Sequence, residues 1–466
     1  MNIRRWHLVL AIAAVSACSG VAKLPLQATV GPDPALPPPQ RSLIPTVNVA
    51  DATAWQPNER PDAAPGLAVA KFADGLQHPR WLYVLPNGDV LVAETDAPPK
   101  PEDGTGIRGF LMKRFMKKAG SGQPSANRIT LLRDTNGDGT ADMRTTFVDG
   151  LNSPFGMVLV GDTFFVAATD ALLRFPYTKG ETRINASPTK ILDLPGGPIN
   201  HHWTKNVIAS PDGSKLYVTV GSNSNAGENG IEKEAGRAAI WEVDVKTGQH
   251  RIFASGLRNP NGMAWESQTG ALWTSVNERD ELGDDLVPDY LTSVRDGGFY
   301  GWPYSYYGSH LDPRVEPQRP DLVAKALVPD YALGAHTASL GLTAADGTAL
   351  PANYRQGMFV GRHGSWNRRP RSGYDVVFVP FANGKPSGAP LPVLSGFVSS
   401  NGDARGRPVG VAIDRHGALL VADDVGNTVW RVTAAGSNNA GQTAAVRTAP
   451  GERDARSPAG PRTVAQ

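Results

Sequence analysis

Asn200–Gly221, NHHWTKNVIASPDGSKLYVTVG, is the stretch that decides the fold. NVIAS is a short apolar run, PDG a tight turn, and KLYVTVG a second run rich in β-branched residues. Two such runs about a Pro/Asp/Gly turn read as a β-hairpin. The design recurs as GLQHPRWLYVLPNGDVLVAE (75–94), GLNSPFGMVLVGDTFFVAA (150–168), GLRNPNGMAWESQTGALWTSV (256–276), SLGLTAADGTALPANYRQGMFVGRHG (339–364) and GRPVGVAIDRHGALLVADD (406–424). Strand pairs repeated at intervals of several tens of residues are the mark of propeller blades. Starts near Pro79, Pro154, His202, Pro260, Ser339 and Pro408 predict an all-β, six-bladed β-propeller with loop insertions, notably at 96–126 and 277–335. Propellers feed side chains into the central mouth from the starts of blades, which is where His202 and the Arg258-Asn259 pair stand.

Composition agrees with a turn-rich β protein: 51 Gly, 39 Pro and 19% charged residues. With 46 basic against 44 acidic residues there is no basic field for nucleic acid. Arg4 and Arg5 precede the apolar run LVLAIAAV and then VSACSG, a targeting segment too short to span a bilayer as a mature helix. Val15–Cys18 resembles the bacterial lipoprotein box, which would make Cys18 the lipidated residue; the alternative is a plain secretory signal cut near Ala17. Cys18 is the sole cysteine, so no internal disulfide forms. The expected organisation is a signal segment (1–18), a Pro-rich tether (19–65), the propeller (66–433) and a disordered tail (434–466). The body is expected to be exported to the periplasm and held to the membrane only through a lipid. The basic excursion within 97–126 reads as a solvated loop with a helical turn.

HHWTKNVIASPDG, GLRNPNGMAWE, NERDELGDDL (277–286), GGFYGWPYSYYG (297–308) and GRPVGVAIDRHGALLVADD, in this order, resemble the soluble pyrroloquinoline quinone (PQQ)-dependent sugar dehydrogenases, in particular the sorbosone dehydrogenase-like branch. The resemblance runs from about residue 70 to 433. It implies a six-bladed propeller with PQQ in the mouth, Ca2+ clamping the cofactor, and oxidation of an aldose or keto-aldehyde sugar. By the same resemblance His202 is the general base, while Arg258, Asn259 and Asn261 contact the cofactor. The backbone carbonyls of Asp280 and Glu281 hold calcium, and Arg405 and Arg407 clamp cofactor carboxylates. Arg362 and His363 stand where the family has a cofactor-contacting Lys. One departure is plain: where the family has a carboxylate orienting the base, this chain has Ser222.

These residue types suit the chemistry. A neutral imidazole accepts a hydroxyl proton as the hydride leaves carbon, and a fixed guanidinium such as Arg258 stabilises the charge arriving on the quinone. An RxR spacing on a strand would place Arg405 and Arg407 on one face. With no CxxCH haem motif, electrons would pass to an external cytochrome or quinone. His201 reads as a structural hydrogen bonder, and His336 as either structural or functional. Trp302, Tyr304, Tyr306 and Tyr307 in the 277–335 insertion are candidates for stacking on a sugar. DTNGDGTAD carries Asp134, Asn136, Asp138 and Asp142 at the spacing of the first part of an EF-hand loop, without the closing Glu. It reads either as a second calcium site or as an acidic hairpin turn without metal. Two other functions suit a propeller: a calcium-dependent sugar lactonase, or a non-catalytic glycan- or protein-binding module.

Overall fold

The computed structural model describes residues 21–40, 46–98, 114, 118–120 and 122–436; the lipoprotein box with Cys18, most of the basic excursion and all but the start of the tail lie outside them. Six antiparallel sheets form the blades. Their innermost strands are Pro79–Val84, Gly156–Val160, Val207–Ala209, Pro260–Trp265, Ser339–Ala344 and Pro408–Ile413, within a few residues of the starts read from the sequence. The second strands are mostly apolar and buried, wholly so in blades 1, 4 and 6 (Val90–Glu94, Leu272–Val276 and Leu419–Asp423). Blade 6 is completed by Leu67–Ala73, which pairs with Thr428–Ala434. A strand from the start of the ring and strands from its end thus share one sheet, which closes the ring.

A repeated small residue explains the recurrent Pro-x-Gly and Ser-x-Gly openings. A Cβ on Gly341 would lie 2.0 Å from the Val409 carbonyl oxygen, and one on Gly156 2.3 Å from the Val207 nitrogen. Inner strands meet through these glycines. Several inner strands also carry a bulge at their start, between Pro79 and Trp81, Pro260 and Met263, and Pro408 and Val411. A bulge turns the extra residue out of the ladder. In blade 1 that residue is Arg80.

Inner strands start, and second strands end, on the same face, so their flanking residues form the mouth. On the far side the inner strands enclose a cavity of about 450 Å3, lined by Tyr83, Met157, Met263, Trp265 and Leu342 together with the polar Asn206, Thr343 and Asp346.

The Pro-rich stretch read as a tether lies, over its described part, along the mouth face. Lys23 N–H donates to Asp285, Val30–Gly31 pairs with the outer strand of blade 4, and Gln40 N–H donates to Leu282 O. Farther on, Thr46 Oγ1 donates to Asp284, the Trp55 indole N–H to Asp423, and Asp62–Ala63 adds to the outer strand of blade 5. Outer strands expose unpaired N–H and C=O groups, and this segment covers two of those edges.

Candidate functional site at the propeller mouth

His202 sits in the loop entering blade 3. Its Nδ1 lies 2.8 Å from Ser222 O and 3.0 Å from Ser222 Oγ. The Ser222 hydroxyl donates to Ser224 O at 2.7 Å, so both serine oxygens act as acceptors toward the ring. The imidazole proton is therefore on Nδ1 and the lone pair on Nε2, the tautomer a base needs. Ser222, standing where the resemblance implies a carboxylate, orients the ring without adding charge. Gly221 brings Asn259 alongside: a Cβ there would be 2.4 Å from Asn259 Oδ1 and 2.5 Å from His202 Cβ.

Two side chains not singled out in the sequence hold this loop from behind. Lys205 Nζ donates to His202 O (3.3 Å) and Trp203 O (3.1 Å), and Arg237 donates to Asn200 Oδ1, Gly221 O and Pro195 O. Lys205 is fully buried; burial, then the Arg237 charge, holds its pKa well below the ordinary lysine value. The unfolded chain binds the extra proton, so Lys205 costs stability at low pH and that cost fades as pH rises toward 10.5. The unfolding free energy of wild type relative to Lys205→Met is expected to climb with pH, by up to about 1.4 kcal/mol per pH unit, between neutrality and about pH 10. Denaturant unfolding at a series of pH values checks this, and a flat difference would mean that the lysine is charged in the fold.

Arg258 is buried, and four of its five N–H groups are spent on protein: Nε on Asn225 O, Nη1 on Asn277 O and Glu278 O, Nη2 on Asn225 Oδ1, with Asp280 Oδ2 at 3.7 Å from Nη2. It ties the blade 3 loop at Asn225 to the blade 4 loop at 277–278, and so braces the mouth rather than serving chiefly as a cofactor contact. Asn261 Nδ2 donates to Thr204 Oγ1, and the Oδ1 atoms of Asn259 and Asn261 are buried without a partner. Asp280 Oδ1 accepts from His336 Nδ1 (3.2 Å) and Asn367 Nδ2 (2.9 Å), and His336 Nε2 donates to Gly283 O. Both ring nitrogens of His336 face acceptors, Asp280 Oδ1 and Gly283 O, the arrangement of an imidazolium; burial opposes the charge, and the Asp280 contact raises the pKa against it.

A second group gathers on the axis. Asp424 Oδ2 accepts from Arg80 Nη1 (2.5 Å) and His363 Nε2 (2.8 Å), and Arg407 donates to the carbonyls of His363 and Gly364. Arg80 lies 5.9 Å from the Trp203 ring centroid, and its Nε is buried without a partner. Burial first and Arg407 second push His363 down to about 3, so it is a neutral N–H donor. Against the cost of burial, His363, His78 and Arg80 hold Asp424 ionised well below the usual carboxylate range.

Besides Arg258, three expectations need correction. Arg405 and Arg407 do not share a strand face: the strand begins at Pro408, Arg405 pairs with Glu59 (3.4 Å), and Arg407 alone reaches the mouth. Arg362 forms a two-point ion pair with its cross-strand neighbour Asp375 and donates to Leu333 O, so it braces blade 5. Trp302, Tyr304, Tyr306 and Tyr307 are 2–8% exposed and pack inside the insertion, unavailable for stacking on a sugar. The 134–142 loop joins the outer two strands of blade 1 on the face away from the mouth. Asp134 accepts from the Gly137 and Gly139 N–H groups, Asn136 Nδ2 donates to Asp138, and Asp142 accepts from Thr135. Among the described residues no group of three or more His, Cys, Asp or Glu could hold a metal ion.

A family model described as "Domain of unknown function (DUF7133)" matches residues 85–366, and one described as "TrAA12-like" matches residues 322–435. An uncharacterized protein of Borreliella burgdorferi is 26% identical over 299 residues, 62% of this chain and 77% of that protein. The pyrroloquinoline quinone-dependent pyranose dehydrogenase of Coprinopsis cinerea is 23% identical over 375 residues, 70% of this chain. The match spans only 45% of that protein's length. The holo form of the PQQ domain of the Coprinopsis cinerea pyranose dehydrogenase superposes with a TM-score of 0.64 at 21% identity, covering 83% of this chain and 100% of that one. The resemblance to PQQ-dependent sugar dehydrogenases, read from the order of the motifs, is thus matched in fold.

Proposed function

The chain belongs to the family described as Domain of unknown function (DUF7133), and from that premise we propose that it is a PQQ-dependent dehydrogenase acting on an aldose or keto-aldehyde sugar. The observation that carries this reading is His202, fixed by Ser222 with its lone pair on Nε2, in the same mouth as the Arg80–His363–Arg407 group. The mouth suits an anionic, planar cofactor. Arg80 Nε lacks a partner over the Trp203 face, and Asn259 Oδ1 lacks one beside His202. Arg80, Arg407, His363 and Asn259 would hold the group, and PQQ when bound supplies the hydride acceptor.

The residues then divide the work. His202 Nε2 takes the substrate hydroxyl proton, and Ser222 and the Lys205-anchored backbone keep the ring in one orientation. Arg80 and Arg407 offset negative charge at the mouth, while His363 stays neutral and braces Asp424. Electrons leave to an external acceptor, a cytochrome or a quinone. Calcium does not fit at the Asp280 carbonyl as the family pattern implies, since Arg314 Nη1 already donates to that oxygen at 2.8 Å. A lactonase would need a carboxylate and amide cluster open to one metal; here Asp280 and Asp424 are engaged by His336 and by Arg80 with His363.

Reconstitution tests the proposal. Apo-protein given PQQ should bind it and gain dye-linked oxidation across a panel of aldoses, sorbosone and simple aldehydes. Hydrolysis of a sugar lactone without PQQ binding would replace this reading with the lactonase. Neither activity would leave a binding module.

A further inference from the structure

Arg314 stands where the family resemblance puts a divalent cation. It comes from the blade 4 insertion and is planted on buried Asp312, with Nε on Oδ1 (2.9 Å) and Nη2 on Oδ2 (2.7 Å). Asp312 is itself fixed by Arg279 Nη1 at 3.1 Å. So held, Arg314 sends Nη1 to the Asp280 carbonyl oxygen at 2.8 Å, and Asn225 Nδ2 donates to the same oxygen at 3.1 Å. A carbonyl has two lone pairs, and both are taken. A calcium ion needs six to eight oxygen ligands at about 2.3–2.6 Å, and here it would have to expel a guanidinium from its first ligand. The Glu281 carboxylate, 3.9 Å from Nη1, adds negative charge on the same side of the cation.

We propose that this protein binds PQQ without calcium, Arg314 taking the cation's place at the Asp280 carbonyl. The inference rests on the quinoprotein reading. One N–H of Nη1 and one of Nη2 make no hydrogen bond to the described residues, so the guanidinium retains donors for a cofactor oxygen. A guanidinium offers directed N–H groups and a permanent charge of one sign, which an anionic ligand accepts in place of metal coordination. The Asp312 carboxylate fixes its plane before any ligand arrives.

The test is PQQ affinity, measured by quenching of tryptophan fluorescence in protein stripped with EDTA and in protein supplied with calcium. Wild type should bind equally well in both. Arg314→Met should weaken PQQ binding about tenfold or more, with part of that loss recovered on adding calcium, and Arg314→Lys should fall between. Circular dichroism confirms that each variant is folded. Loss of wild-type PQQ binding in EDTA with recovery in calcium would overturn the proposal, as would an Arg314→Met protein with unchanged affinity. Should wild type bind no PQQ in either condition, the quinoprotein reading itself has failed. Calorimetric titration with calcium alone then decides, in an Asp134→Asn background that disables the remote 134–142 loop. Calcium bound by Arg314→Met but not by the Arg314 parent upholds the exclusion, and any other pattern overturns it.

Discussion

His202→Gln is expected to lower turnover by about 10²–10⁴-fold with PQQ binding unchanged, the range that a positioned proton acceptor supplies. The amide keeps the length of the side chain and a donor toward Ser222, but it has no basic nitrogen to take the hydroxyl proton. The cofactor would be gripped by other groups, Arg80, Arg407 and His363, so its affinity should not follow turnover down. Stopped-flow reduction of the bound cofactor by substrate, beside a direct PQQ titration, separates the two effects. Loss of PQQ binding in the variant would turn His202 from a base into part of the scaffold.

The second large effect concerns Arg279, which is fully buried in the blade 4 insertion. Its Nε donates to Glu278 (3.0 Å), Nη1 to Asp312 (3.1 Å) and Pro303 O (2.8 Å), and Nη2 to Ser305 O (2.7 Å). The Tyr306 ring centroid lies 5.8 Å from the guanidinium. Arg279→Met keeps the stem but removes charge compensation for two buried carboxylates, and breaking such a pair costs about 3–5 kcal/mol. Thermal unfolding should move down by on the order of 5–10 °C, the shift per kcal/mol being smaller in a chain of this length. Because Asp312 also seats Arg314, PQQ affinity should fall as well. A variant as stable as wild type would mean that solvent reaches the carboxylates and that the insertion is less tightly closed than its side-chain packing indicates.

The propeller was legible because each blade repeats one local rule, a hairpin whose opening Pro-x-Gly or Ser-x-Gly sets both the entry to the inner strand and the approach of its neighbour. His202, Asn259, His363 and Arg407 were legible for the same reason: they stand at blade starts or ends, and the fold brings those positions to one mouth. Arg405 was misread because the one-face rule for alternate residues holds only inside a strand, and here the strand starts at Pro408. Arg362 and Arg258 were misread because composition cannot show that Asp375, Asn225 and the 277–278 carbonyls would occupy most of their donors. Arg80 was missed because its direction depends on a bulge, and a bulge is a matter of register between Pro79–Val84 and Val90–Glu94. The signal lay in the motif itself, HPRW, where three other copies put glycine two residues after proline. Lys205 offered no signal at all; a lysine next to a strand reads as solvated until its neighbours are known.

The collar formed by the leading segment gives the molecule a polarity. Lys23 meets Asp285 beside the rim of the opening, whereas the last strand of blade 6 runs from the rim at Thr428 to the far side at Ala434. A handle attached upstream would therefore turn the opening toward whatever surface holds it, and a handle attached downstream would turn the opening outward to bulk solution. Tethered to a conductor in these two ways, one polypeptide would present two different faces for wiring.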